Sequence, residues 1–223
     1  MTLSEYSLLH LAENIKFVHS LGFKQIGGVN LFECTFDWSS DKYIDMLVPQ
    51  LAELMEFYVE NDSLSLDQML NKRLDICEDK DRIKSKWCGI GDGAVCFDID
   101  GTKYPCPFVT PMTFSKTELL TIETFDFFNN YDFIDDECSE NCYIYPVCPN
   151  CAGANYLNSK TFKNHDKSKC KIQKLIALFA SDLQGKRIVK NPSLYDKNQL
   201  YHTINAIKKI RELYLPEFEE YFD

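Results

Sequence analysis

Apolar and polar positions recur with a helical period over most of this chain and with a strand period in only two short stretches. From about Ser4 to Ser20, the residues Leu8, Leu11, Ile15 and Val18 fall on one face, and Gly22 stands where such a helix would stop. Phe23 to Leu31, FKQIGGVNL, reads as a short buried strand in which Gly27 and Gly28 mark a close backbone approach, so the opening is an α/β unit. After a loop with Trp38, Ser39 or Ser40 can cap a helix whose inner face is Ile44, Leu47, Val48, Leu51, Leu54, Met55 and Tyr58. Pro49 lies inside it and is expected to kink or split it. Another helix is predicted from about Leu66 to Ile76, with Met69, Leu70 and Leu74 inward. Cys77 continues that face and Cys34 sits in an apolar loop; neither has a second thiol at ligand spacing, so both read as small buried hydrophobes.

The pattern changes character at Trp87-Cys88-Gly89. Ala94 to Ile99 and Thr102 to Tyr104 flank Asp100-Gly101, a pair suited to the positive φ angles of a type I′ turn, and a β-hairpin is predicted. With a two-residue loop, Ile99 faces Thr102, Phe97 faces Tyr104 and Val95 faces Cys106, which sends Cys96 to the opposite side from Cys106. A hairpin brings its ends together, so Cys88 and Cys106 can converge on one centre, while Cys96 belongs to the core unless a bulge near Pro105 makes it an extra ligand. Beyond Pro107 come Thr117 to Leu120 and an aromatic run, Phe125, Phe127, Phe128, Tyr131 and Phe133, which is either a water-excluding cover or an ordinary apolar face. A helix is expected from near Asn164 or Asp166 to Gly185 on Ile172, Leu175, Ile176, Phe179 and Leu183, with Cys170 in its first turns, where the local positive potential favours a thiolate. A last helix, about Tyr195 to Leu213, uses Leu200, Ile204 and Ile207, and the tail PEFEEYFD reads as solvent-facing.

Composition narrows the chemistry. The 223 residues are 45% hydrophobic, enough for a real core. A formal charge of −10 with no basic stripe argues against nucleic acid and suits a solvated acidic surface. No apolar run approaches the roughly eighteen residues of a membrane span. The first twenty residues lack a basic leader, so a reducing cytoplasm is expected, where ten cysteines are better explained by metal than by disulfides.

Four of those cysteines, Cys138, Cys142, Cys148 and Cys151, fall within fourteen residues. Thiolates at C-x3-C and C-x2-C spacing can wrap back onto one metal centre, either zinc or an iron–sulfur cluster. The small residues Ala152, Gly153 and Ala154 that follow let backbone approach a bulky group. The histidines His10, His19, His165 and His202 are scattered; His165 could substitute as a ligand but reads first as a surface residue at a helix start. Asp98 and Asp100 are simplest as strand and turn residues, and no catalytic base is nominated.

Cys88, twelve residues, Gly101, four residues and Cys106, then Cys138, Cys142, Cys148 and Cys151, then Cys170 together resemble the SPASM domain. That cysteine-rich domain extends many radical S-adenosylmethionine enzymes that mature sulfatases or ribosomally made peptides. The central spacing here is C-x3-C-x5-C-x2-C where the family usually has C-x2-C-x5-C-x3-C. The resemblance implies two auxiliary [4Fe–4S] clusters, one held by Cys88, Cys106 and Cys151 and the other by Cys138, Cys142, Cys148 and Cys170. Seven thiolates leave an eighth position to Cys96, to another ligand or to an open iron.

Residues 1–85 resemble the last helix and strand units of the partial (β/α)6 barrel that precedes SPASM in those enzymes, so the class expected is α/β (α+β). Residues 86–185 would be the SPASM domain and 186–223 a C-terminal helix with an acidic tail. The family's C-x3-C-x2-C motif, which holds the catalytic cluster, does not occur. S-adenosylmethionine is therefore not expected to be bound or cleaved by this chain alone. The resemblance implies an electron relay, or the part that binds a peptide or protein substrate, with the catalytic half lost or supplied by a separate chain. A structural zinc module without redox function is the alternative, and a remnant of a truncated gene a third reading.

Overall fold

The computed structural model describes residues 2–31, 37–78, 88–90, 93–125 and 136–222. Cys34, Trp87, Phe127, Phe128, Tyr131 and Phe133 lie outside them. In chain order the regular elements are β1 (Thr2–Leu3), α1 (Glu5–Leu8), α2 (Leu11–Ser20), β2 (Asn30–Leu31), α3 (Asp41–Glu60), β3 (Cys96–Phe97), β4 (Lys103–Tyr104), α4 (Lys116–Glu123), α5 (Asp136–Asn141), α6 (Ala152–Ser159), α7 (Cys170–Lys190) and α8 (Lys197–Tyr214), with short 3-10 turns between them. The protein is mostly helical with a few small strands, an α+β chain. It divides into two compact units, Met1–Lys80 with Lys167–Asp223, and Asp81–Asp166. The first break falls close to the expected residue 85; the second precedes Cys170, so the long helix α7 belongs to the first unit.

In the first unit, α7 is the central element. Ile172, Leu175, Ile176, Phe179 and Leu183 are buried as their spacing requires, and Ala177, Leu178, Ala180 and Ser181 are buried as well. A helix buried all round must satisfy its polar groups internally. Ser181 donates to the Ala177 carbonyl at 2.7 Å, Gln184 Nε2 donates to the Lys72 carbonyl at 2.8 Å, and Arg187 donates to the carbonyls of Asp62 and Leu64. Gly185 does not stop this helix: it faces Ile207 of α8, and α7 runs on to Lys190.

Against α7 pack α3 and α8. The inner face of α3 is Tyr43, Ile44, Leu47, Leu51, Leu54 and Tyr58, and each fully buried leucine contributes about 1.5–3 kcal/mol. Pro49 points outward, and α3 passes through it without splitting. The predicted first helix is two, because the chain turns at Leu9-His10 between α1 and α2. Most of the predicted strand from Phe23 is irregular; only Asn30–Leu31 pairs, in parallel with Thr2–Leu3. Residues 66 to 73 form turns and only Leu74–Glu78 is helical, of the 3-10 kind, yet Met69, Leu70, Leu74 and Cys77 are buried as expected.

The C-terminal tail does not stand free in solvent. Phe218 is fully buried, Phe222 packs on Phe179 with ring centroids 4.7 Å apart, Tyr221 donates to Asp45 at 2.8 Å, and Glu217 pairs with Lys174 at 2.8 Å. Glu217, Glu219 and Glu220 are exposed, whereas Phe218 is buried and Tyr221 and Phe222 are half-buried.

The second unit is small and built around Ile90, Tyr104, Val109, Phe114, Tyr156 and Phe162. Tyr156 stacks on Phe162 at 4.8 Å and Phe125 packs on Phe162 at 4.4 Å, so the one described member of the aromatic run belongs to this core. A capping box opens α4: Ser115 Oγ accepts from Glu118 N while the Glu118 carboxylate accepts from Ser115 N. Lys160 and Ser115 hold the Glu118 carboxyl down to about 2. Its contribution is therefore present above its ordinary pKa and lost only as pH falls through about 2.

Candidate metal centre

Strand β3 pairs antiparallel with β4, Cys96 opposite Tyr104 and Phe97 opposite Lys103. This differs by one residue from the expected register. The loop has three residues, Ile99, Asp100 and Gly101, closed by Gly101 N on the Asp98 carbonyl at 2.9 Å, and Gly101 has φ +85°. Asp98 at the first position of a type I turn and Gly at the fourth are the residues that turn prefers. Asp98 also accepts from Ile99 N at 2.7 Å, and Asp100 accepts from Thr102 N at 2.9 Å. A side chain in place of Gly101 costs about 1–2 kcal/mol of left-handed strain. Gly101→Ala is accordingly expected to lower the urea midpoint of the second unit, and an unchanged midpoint counts against this turn.

Because strand side chains alternate, slipping the register by one residue transfers Cys96 to the other face of the ladder. It then shares a side with Cys106. Cys88 precedes the hairpin, where Gly93 and Ala94 both donate to the Gly89 carbonyl at 2.9 and 2.7 Å. Cys151 arrives from elsewhere in the unit as the N-cap of α6. Burial is the main reason that the Cys106 thiol is raised, and charge on Cys88 and Cys96 raises it further. Burial likewise pushes Cys151 up to about 11, with charge on Cys106 and Cys88 adding to it. Cys88, Cys96, Cys106 and Cys151 are thus electrostatic neighbours. Backbone N–H groups of Phe108 and Val109 are turned to Cys106, and those of Gly153 and Ala154 to Cys151, which favours the thiolates.

The Gly153 position is more particular than a need for small residues near a centre. A Cβ there would stand 2.7 Å from Cδ1 of Phe108, so the space is filled by that ring.

The second group follows the chain in consecutive turns. Cys142 N donates to the Cys138 carbonyl at 2.9 Å, Tyr145 N to the Cys142 carbonyl at 3.1 Å, and Cys148 N to the Tyr145 carbonyl at 3.1 Å. All three cysteines are half-buried. Cys148 Sγ lies 3.7 Å from His165 Nε2. Cys170, which the SPASM resemblance adds to this group, is the first residue of α7 in the other unit.

No disulfide joins any of the nine described cysteines. Among the described residues, no group of three or more His, Cys, Asp or Glu side chains is closed tightly enough to hold a metal ion as it stands. By donor chemistry the hairpin thiols suit a metal: they are soft ligands, charge on Cys88 and Cys96 is felt at Cys106 and charge on Cys88 and Cys106 at Cys151, and backbone N–H groups face the sulfurs of Cys106 and Cys151. The expected register put Cys96 on the side away from Cys106 and left it an extra ligand only through a bulge near Pro105; the observed register turns it to the side of Cys106, and the signal for that was Asp98 three residues before Gly101.

Exposure and thiol acidity separate these cysteines chemically. Cys88 is exposed, whereas a thiol near 11 is only about one part in a thousand thiolate at pH 8. Under limiting iodoacetamide at that pH, Cys88 is expected to be alkylated first and Cys151 among the last, as read by peptide mass spectrometry. Equal rates would mean that the burial of Cys151 is not kept in solution.

No known protein family and no curated protein matches the chain. Among the described residues no helix is long and apolar enough to cross a membrane.

Proposed function

We propose that this protein binds two [4Fe–4S] clusters and serves as the electron-relay or peptide-binding part of a radical S-adenosylmethionine maturase. What supports this is that cysteines remote in sequence act on one another about the hairpin: Cys88 and Cys96 on Cys106, and Cys88 and Cys106 on Cys151. Cys96 supplies the position that a seven-cysteine set lacks. The other group is Cys138, Cys142 and Cys148 with a further ligand. Bound clusters of this kind supply one-electron chemistry, at potentials set by net charge, hydrogen bonds to sulfur and exposure. This chain's own part is to hold eight ligands, to point the N–H groups of Phe108, Val109, Gly153 and Ala154 at sulfur, and to exclude water with Phe108 and Val109.

A peptide role is supported by the surface beside the hairpin. A cleft of about 400 Å³ is lined there by Ala94, Tyr104, Val109, Leu119, Ile122 and Phe125. Along this edge of the hairpin Val95, Phe97 of β3 and Ile99 of the turn are exposed. An extended peptide could add its backbone to such an edge and place one apolar side chain in the cleft.

Iron, acid-labile sulfide and zinc content of protein purified without oxygen tests the proposal. About eight irons and eight sulfides per chain are expected. Stoichiometric zinc without iron would make the cysteines a structural staple and end the electron-relay reading. Rebuilding activity from this chain and a separate barrel half tests the relay itself: activity that survives Cys142→Ser with Cys148→Ser rules it out.

A further inference from the structure

The hairpin presents a strand edge that is apolar along its length and bordered by carboxylates. In an antiparallel ladder, hydrogen-bonded and non-bonded pairs alternate. Asp98 N donates to the Thr102 carbonyl at 2.9 Å, so the next pair, Phe97 opposite Lys103, is a non-bonded one. The N–H and C=O of Phe97 therefore point away from β4. Among the described residues no backbone group pairs with them, and only the Cys96 thiol reaches the carbonyl, at 3.9 Å. Native edges are normally blunted by charge or proline. Here Phe97 is 63% exposed, and Val95 and Ile99 are exposed on either side of it. This edge runs from residues 93–95, which line the cleft of about 400 Å³, to the turn. A cleft of that size falls in the range of about 300–1,000 Å³ that holds small ligands.

Charge says what the edge is suited to. Asp98 and Asp100 at the turn and Glu123 at the cleft are exposed, and among the described residues none of the three is in an ion pair. Lys103 also lines the cleft, which leaves the rim net negative. Burial is the main reason that the Tyr104 hydroxyl is raised, and the charges of Asp98, Asp100 and Glu123 raise it further, so carboxylates of the turn and of α4 act on one residue of the cleft. Glu123 is the last residue of α4, where the helix dipole disfavours a carboxylate, and the last turn holds no basic residue to offset it. The position is poor for the helix and good for a cation arriving from outside. A second copy of the chain does not meet this charge, since each carries a formal −10, and the phosphates of nucleic acid meet it no better.

We infer that the hairpin and cleft bind an extended cationic peptide segment, which adds a strand along β3, sets one apolar side chain in the cleft and brings Lys or Arg to Asp98, Asp100 and Glu123. This rests on the peptide-binding reading above and names the class of peptide. Strand addition pairs residues one for one, and Asp98 and Asp100 lie three and five positions beyond Val95. A basic residue accordingly falls about three to five positions from the apolar one, and a second beside the apolar one meets Glu123.

Selection from a random-peptide library on the full chain, purified without oxygen, tests this. Selected peptides are expected to carry an apolar residue with Lys or Arg about three to five positions away, and their affinity to fall as salt rises. In anisotropy titrations of one such labelled peptide, Glu123→Lys should weaken binding about fivefold, in a variant whose helix the new charge favours. Phe97→Pro removes the N–H that faces the added strand and should weaken binding about fivefold as well. Peptides selected without charge preference, or acidic ones, overturn the cationic class and leave the peptide-binding reading standing. A selection that yields no peptide overturns both, while the iron count still decides the clusters. Binding that both variants leave intact places the peptide on another surface and overturns this site. Composition and salt dependence are read on the wild-type protein, so they decide the question even where Phe97→Pro does not fold.

Discussion

Protein in which Cys106 and Cys151 are both replaced by Ser is expected to bind about four irons and four sulfides in place of about eight. The two thiols are half-buried and have backbone N–H groups turned to sulfur. With both gone, the exposed Cys88 and the half-buried Cys96 remain, too few to retain a cluster. Cys138, Cys142 and Cys148 are held by their own sequence of turns and should keep the other centre. The companion variant Cys96→Ser tests the register: it too should lose the hairpin centre, or leave it one iron short, whereas the expected two-residue loop would leave it untouched. Full iron in the double variant would show that the hairpin thiols are not ligands, and complete loss would show that the two centres assemble only together.

How far the sequence could be read depended on whether a feature is set locally. Helix faces were legible because burial repeats many times along them: Leu47, Leu51, Leu54 and Tyr58 of α3 cannot all be misassigned by one error. A hairpin register has no such redundancy. It depends on one turn, and reading Asp100-Gly101 as the whole loop moved every side chain on β3 by one place. That single residue decided whether Cys96 counted as core or as a neighbour of Cys106. The irregular stretch from Leu66 to Arg73 misled for the opposite reason, since its burial has helical spacing while its backbone is turned by Asp67.

The neighbours of His165 were not legible because they are set by tertiary contacts. Cys148 is seventeen residues away and Asn150 fifteen, and no local spacing connects them. The tail shows the same limit. Charge alone makes PEFEEYFD a solvated segment, yet Phe218 and Phe222 alternate with the acids at the interval that lets one side dock on α7 and the other stay wet.

Asp67 should make the protein more stable in acid than at neutral pH, and Asp67→Asn should remove that difference. The residue is fully buried, its Oδ1 accepts from Met69 N at 2.9 Å and Leu70 N at 3.4 Å, and among the described residues its Oδ2 has no hydrogen-bond partner. Burial raises its pKa above the ordinary value of 3.8, outweighing the backbone N–H groups that pull it down. The raised value fixes the sign. The stabilising contribution of the neutral carboxyl is complete below about 3.8, the range of an unfolded aspartate, and is lost as pH rises through the folded value. Asparagine keeps the acceptor for Met69 and Leu70 but does not ionise in the unfolded chain, so the variant should match wild type near pH 4 and exceed it at pH 7 in urea unfolding. Alanine removes the acceptor of the buried Met69 N–H, whereas Leu70 N keeps the Asp67 carbonyl at 3.1 Å and the Tyr58 hydroxyl still accepts from residue 67 N, so Asp67→Ala should cost about 1–3 kcal/mol at either pH. Parallel pH curves for wild type and Asp67→Asn would mean that the carboxylate is charged in the folded protein and compensated there, and that the turn at Asp67 is stabilised as an ion.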